Sequence, residues 1–175
     1  MPDEYFPIVD KNGLVIGKET RKYCHSGSFL LHPVVHLHIF DSKGRLYLQK
    51  RAITKDIQPG KWDTSVGGHV DYGETINEAL IREVREELNI VDFNVQKMFS
   101  YTFRSTIEYE LVNSFYIIYE GLIEPDPTEI CEGRFWTIEE IESKLGMSIF
   151  TPNFELEFAK IKASGFINVI TNKND

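Results

Sequence analysis

The chain has 175 residues, 42% hydrophobic and 26% charged, enough for one domain with a sizeable core and too apolar for a disordered chain. Its 19 Lys and Arg against 27 Asp and Glu leave a net charge of −8, which argues against nucleic acid as partner while allowing a small phosphorylated substrate held by local cations or metal. No apolar run approaches the roughly 18 residues of a membrane span, the acidic start Met1-Pro-Asp-Glu-Tyr-Phe6 has no signal-peptide core, and the two cysteines, Cys24 and Cys131, read as reduced thiols of a cytoplasmic protein.

In chain order, residues 6–9 are extended, Asp10-Lys-Asn-Gly13 is a turn and residues 14–17 return, predicting an N-terminal hairpin over about 5–18. Residues 34–40 and 45–50 flank Asp41-Ser-Lys-Gly44 as a second hairpin, and residues 52–61 form a loop rich in Lys, Asp, Pro and Gly. A short strand at 62–66 precedes Gly67-Gly68, and residues 75–88 are the clearest helix. Residues 93–104 and 110–119 alternate and are aromatic-rich, predicting long paired strands. Pro125-Asp-Pro127 marks a loop, Phe135-Trp136 a brief strand and 137–145 a helix. Thr151-Pro152 opens a C-terminal helix over about 151–164, with Thr as N-cap and Pro at the first position, and the last ten residues read as a polar tail. Many strands and three helices in one unit predict an α/β (α+β) fold, a helix–sheet sandwich.

The helix at 75–88 carries the chemistry. Thr75 with Glu78 three residues on is a capping-box pattern. At about 100° per residue, Ile76, Ala79, Leu80, Val84 and Leu88 form one apolar stripe. Measured from Ile76, Glu87 falls near 20° and Glu83 near −20°, inside or at the edge of that stripe, with Glu86 further round near −80° but still reachable. An acidic run is ordinarily a solvated helix face. Turning two carboxylates toward a packed sheet costs both repulsion and desolvation unless something positive meets them. The cheapest partner is Mg²⁺ or Mn²⁺, which favour oxygen ligands.

The run Gly68, five residues, Glu74, seven residues, Arg82-Glu83-Val84, one residue, Glu86-Glu87, one residue, Asn89-Ile90 resembles the Nudix box of the Nudix hydrolases, with Asn89 where the family has its second Gly. That position follows the helix end and needs a left-handed conformation, for which Asn is the next-best residue. The resemblance implies an α/β/α sandwich around a mixed sheet. It implies Mg²⁺ or Mn²⁺ bound by Glu83, Glu86, Glu87 and a backbone carbonyl near Gly67, with Arg82 orienting Glu83 and Glu74 supporting the loop–helix geometry. The implied reaction is hydrolysis of a diphosphate linkage in a nucleoside diphosphate derivative or another small organic diphosphate. The proton goes to Glu83 or to an acid of a later loop, for which Glu129 and Glu132 stand before Phe135-Trp136.

From about residue 9 to 90 the chain also resembles the isopentenyl-diphosphate isomerases, a branch of the same superfamily. The likeness includes Asp10, Gly13, Gly17, Cys24-His25, His32, residues 34–40, Leu46-Tyr-Leu-Gln-Lys-Arg51, Lys55, Pro59-Gly-Lys-Trp62 and Gly68-His69. It implies a second metal or polar site at His25, His32 and His69, and a diphosphate grip by Arg21, Arg51 and Lys55. His36 and His38 share one strand face and are given no role. The isomerase Cys falls at Gly67 and its Glu within residues 110–114, matched to Asn113, and neither Gly67 nor Asn113 can move a proton. Hydrolysis is therefore the leading expectation. Isomerase-like activity and a non-catalytic nucleotide-binding module are the alternatives, and a homodimer is allowed.

Overall fold

The computed structural model describes residues 3–171. β1 (Tyr5–Val9) and β2 (Val15–Thr20) form an antiparallel hairpin. The Asp10 carboxylate accepts from the backbone N–H of Asn12 and Leu14 at 2.8 and 2.9 Å, closing the turn. α1 (Arg21–Cys24) follows, capped by Thr20.

A seven-stranded sheet is built from β3 (Leu31–Phe40), β4 (Leu46–Arg51), β5 (Trp62–Asp63), β6 (Val66–His69), β7 (Gln96–Arg104), β8 (Tyr109–Ile118) and β9 (Ile130–Trp136). Its main path runs β5-β4-β3-β8-β7, with β6 paired to β3 and β9 to β4. β3 and β8 are parallel and the other pairs antiparallel, so the sheet is mixed. β3 is buried along its whole length and separates two cores. On one face α2 (Ile76–Leu88) packs Ala79, Leu80, Val84 and Leu88 against Val35, Leu37, Ile39 and Val66. On the other, Phe40, Leu46, Leu48 and Trp62 meet the buried side chains of α3 (Ile138–Glu142), α4 (Pro152–Ala163) and α5 (Phe166–Thr171). This α+β architecture, helices on both faces of a mixed sheet, is the expected one.

α2 begins as its sequence predicts: the Glu78 N–H donates to Thr75 Oγ1 at 3.2 Å and the Thr75 N–H to Glu78 Oε2 at 2.8 Å. It ends on Asn89 at φ 54°, ψ 29°, the left-handed conformation. Four expectations are corrected. The strand expected at 62–66 is two strands, because β5 pairs with β4 and β6 with β3. The brief strand at Phe135-Trp136 is the end of a seven-residue β9, whose register with β4 runs back to Ile130. The helix expected at 137–145 keeps regular form only to Glu142. The polar tail is helical α5 over residues 166–171, with Ile170 buried, and residues 172–175 lie outside the described residues.

Candidate active site

β6 places two consecutive glycines between two differently functionalised faces. Gly68 lies against Glu83 of α2, and Gly67 on the opposite face lies against His36 of β3. α2 aims its acids as the wheel predicts. Glu87 is buried at 8% exposure, Glu83 is largely covered, and Glu86 is open with a side chain 60% exposed. Gln49 of β4 donates its Nε2 to Glu87 Oε2 at 2.8 Å. Burial, then the charge of Glu83, pushes the Glu87 carboxyl up to about 8, and burial also raises Glu83.

Arg82 ties this corner together. Its Nε and Nη2 grip the two oxygens of Glu74 at 2.7 and 2.9 Å, Nη1 donates to Glu83 Oε1 at 2.7 Å, and Nη2 also donates to the His69 carbonyl at 2.9 Å. Glu74 in turn accepts from the Asp71 N–H at 3.1 Å. The loop, the helix and β6 thus share one guanidinium.

The donor set fits a hard divalent cation. Two covered carboxylates stand in an apolar stripe, one of them held against its nature as an acid by burial, and bare backbone at Gly68 gives Glu83 its space.

His25, His32 and His69 converge, and they are joined by a residue that sequence reasoning missed, Glu108. One ligand atom from each lies within 4.8 Å of all the others. His25 Nε2 is 3.1 Å from His69 Nε2 and 3.0 Å from Glu108 Oε1. His32 turns Nδ1 to the Leu30 carbonyl at 2.9 Å, leaving its buried Nε2 without a partner. Phe6 of the hairpin stacks on His69 at 4.4 Å between ring centroids and roofs the cluster. Burial, then neighbouring imidazoles, holds His69 well below its usual value, and burial, then Arg21, lowers His25 to about 4. Neutral imidazoles beside a carboxylate fit a borderline metal ion of the N/O-ligand class.

Asn113, set against the isomerase Glu, points away from the histidines, accepting from Ser100 Oγ at 3.1 Å. Glu108 and Glu110 come to the histidines instead, Glu110 Oε1 lying 4.0 Å from His69 Nε2. The legible signal was the alternation Glu108-Tyr-Glu110 opening a strand, which puts both acids on one face. Burial, then Glu108, raises Glu110 to about 8.

The candidate phosphate cations stand around this corner, each with an acid partner. Arg21 meets Glu4 at 3.2 Å, Arg51 meets Asp63 at 3.2 Å, and Lys55 bonds Glu129. Glu132 is not in a loop: it lies on β9, half exposed, 3.8 Å from Lys50. Glu129 precedes β9 and reaches the site's edge through Lys55.

A family model described as NUDIX domain matches residues 30–154. An uncharacterised Nudix hydrolase of Nostoc sp. is 35% identical over 124 residues, 71% of this chain and 72% of that one. An isopentenyl-diphosphate Delta-isomerase of Serratia proteamaculans is 34% identical over 142 residues, 80% of this chain and 78% of that one. In three dimensions a crystal structure from Deinococcus radiodurans aligns with a TM-score of 0.79 over 90% of this chain and 98% of that one, at 24% identity, a likeness of fold.

Proposed function

Given that the chain belongs to the Nudix family, we propose that it is a metal-dependent hydrolase of a diphosphate linkage in a small organic or nucleoside diphosphate. The observation that carries this reading is Glu87, a buried carboxylate beside a second one, Glu83, in the apolar stripe of α2. Glu83, Glu86, Glu87 and the Gly67 carbonyl would hold Mg²⁺ or Mn²⁺. Such an ion neutralises diphosphate oxygens and activates an attacking water.

The chain's own residues do the rest. Arg82 fixes the Glu83 rotamer, and Gln49 fixes Glu87. Arg51, Lys55 and Arg21 receive the diphosphate, exchanging their present carboxylate partners for phosphate oxygens. The water's proton goes to Glu83, which Arg82 bonds, or to Glu129, which Lys55 bonds. His25, His32, His69 and Glu108 form a second metal or polar site beside the first. The protein acts as one domain over residues 1–175, in the cytoplasm, with both cysteines free.

Isomerisation has less support. Glu110 supplies one buried acid, but Gly67 supplies no group for the opposite face of an alkene. Hydrolysis should be screened with nucleotide sugars, dinucleoside polyphosphates, ADP-ribose, NADH, damaged dNTPs and isoprenoid diphosphates in Mg²⁺ or Mn²⁺, read as the phosphomonoester, pyrophosphate or phosphate products. Turnover that vanishes in Glu83→Gln and Glu87→Gln supports the hydrolase. Turnover untouched by both removes α2 from the mechanism, and no turnover of any diphosphate favours a binding module.

A further inference from the structure

The sheet face that meets α2 is covered by two separate bodies with a gap between them. Odd-numbered residues of β3 and β8 share that face. α2 lies over Val35, Leu37, Ile39 and Phe115. The N-terminal hairpin covers the other end, where Val9 packs on Leu31 and Leu111. Between the hairpin turn and the start of α2 a cavity of about 490 Å³ opens over the strands. That is room for a small organic molecule. Neither the α2 acids Glu83 and Glu87 nor the histidines His25, His32 and His69 line it, so it is a different place from the site already described.

Its lining joins apolar surface to a few polar groups. Pro33 and Leu111 are apolar, while Asn113 of β8 and Ser100 of β7 stand side by side among them. Asn113 is buried at 6% exposure, between Leu111 and Phe115 on its strand face. Its Oδ1 accepts from Ser100 Oγ at 3.1 Å, but its Nδ2 reaches only the ladder carbonyls of Val34 and Leu111, at 3.4 and 3.3 Å. Those contacts are longer than an ordinary N–H···O bond. A buried amide bonded so weakly keeps donor capacity for an acceptor that enters the cavity.

The charge of the lining points the same way. Lys11 of the hairpin turn and Lys97 of β7 both line the cavity, both are exposed, and neither has an ion pair among the described residues. The acid in the lining is Glu74, and Arg82 already grips both its oxygens. In a chain of net charge −8, two unpaired lysines beside one neutralised acid make a local exception, and it favours an anion. Glu74 also connects the cavity to the metal carboxylates, because the same guanidinium bonds Glu83. A ligand packed on Glu74 holds that chain of bonds in its present arrangement, and a negative ligand favours a cation nearby.

We propose that this cavity is a second ligand site, for a small molecule that joins an apolar body to an anionic group, and that its occupancy tightens metal binding at Glu83 and Glu87. The second half rests on the metal placement of the hydrolase reading; the first half does not.

The test uses anilinonaphthalene sulfonate, and phenylnaphthylamine as the same rings without the anion, in fluorescence titrations of the full chain in EDTA. One sulfonate should bind per chain, at least about tenfold more tightly than the neutral amine, the worth of a charge-assisted bond. Lys11→Ala/Lys97→Ala, which removes only exposed side chains, should erase that preference and leave the amine unchanged. Ser100→Phe should fill the cavity and weaken both compounds, and if it fails to fold the lysine variant decides. Arg51→Ala, at the diphosphate corner, should change neither. No binding, no preference for the sulfonate, a preference that survives the loss of both lysines, or one that disappears in Arg51→Ala overturns the ligand assignment. With Mn²⁺ present the sulfonate should bind at least about fivefold more tightly, and calorimetry should show Mn²⁺ affinity rising by the same factor when the sulfonate is bound. Arg82→Lys should bind the sulfonate in EDTA as wild type does and lose that gain. No gain in wild type, or an equal gain in Arg82→Lys, overturns the coupling. If Mn²⁺ does not bind at all, the hydrolase reading and the coupling both fail, and the ligand assignment stands.

Discussion

Glu83 packs directly on the bare backbone of Gly68: a methyl group added there would stand 2.0 Å from the Glu83 carboxyl carbon. No rotamer shift of a carboxylate already bonded to Arg82 absorbs that overlap without leaving the site. Gly68→Ala is therefore expected to lower turnover at least about 100-fold, the cost of displacing a catalytic group by an ångström. Gly17→Ala in β2, whose nearest neighbour would be Ile8 Cβ at 3.9 Å, is the matched control. Steady-state kinetics on the two variants checks this, and equal rates would separate Glu83 from the chemistry.

Arg82→Lys keeps the charge and loses the fork. One ammonium cannot replace two bonds to Glu74, one to Glu83 and one to the His69 carbonyl. The partly buried acceptors left unpaired should cost about 1–3 kcal/mol of stability in urea denaturation, and activity should fall about 10–100-fold, as for loss of a residue that orients a metal ligand. A variant as stable and as active as wild type would show the fork to be dispensable.

Glu87 predicts a stability effect of opposite sign with and without metal. Its carboxyl is raised to about 8 by burial and then by Glu83. The folded metal-free protein therefore holds a proton that the unfolded chain has lost, and stability falls as pH rises from about 4.5 through about 8. In EDTA at pH 8, Glu87→Gln should melt at or above wild type. Mn²⁺ should raise the wild-type Tm by mass action and raise the variant's by less. Calorimetry across pH 5–8 with and without Mn²⁺ reads both.

The His36–Glu157 pair has a different window. Burial alone would depress His36, but the Glu157 charge overrides it and raises His36 to about 9. Burial alone would raise Glu157, and His36 and His38 instead hold it well below the usual carboxylate range. The histidine's contribution is complete below about 6.5 and lost through about 9, while the glutamate's is complete above about 4.5. The Tm difference between wild type and the His36→Leu/Glu157→Leu double variant should be most favourable to wild type near pH 5–6 and smallest at pH 9.5. A difference that does not change with pH would contradict the pairing.

Asn89 closes α2 in the left-handed conformation at φ 54° and donates Nδ2 to Glu124 Oε2 at 2.8 Å. Asn89→Ala should cost about 1 kcal/mol in thermal or urea denaturation, because alanine lacks the polar side chain that lets Asn occupy that conformation and loses the bond to Glu124, and Asn89→Gly should cost less. A neutral alanine variant would show that α2 can end another way.

What the sequence determined by itself is what local spacing encodes. The capping box at Thr75 and Glu78, the stop at Asn89, the inward aim of Glu83 and Glu87 and the first two hairpins all follow from a 3.6-residue or two-residue period acting over a dozen positions. The convergence of His25, His32 and His69 was legible only through resemblance to a family. Tertiary structure alone decided the rest. Glu108 and Glu110 reach the histidines because β8 runs parallel to β3 in a register that sets Glu110 beside His32, a pairing between distant segments that no local period encodes. His36 and His38 acquire a partner only when α4, more than a hundred residues on, carries Glu157 into the opposite core. Burial of a charge is a property of what closes over it, and closure is decided by the whole packed chain.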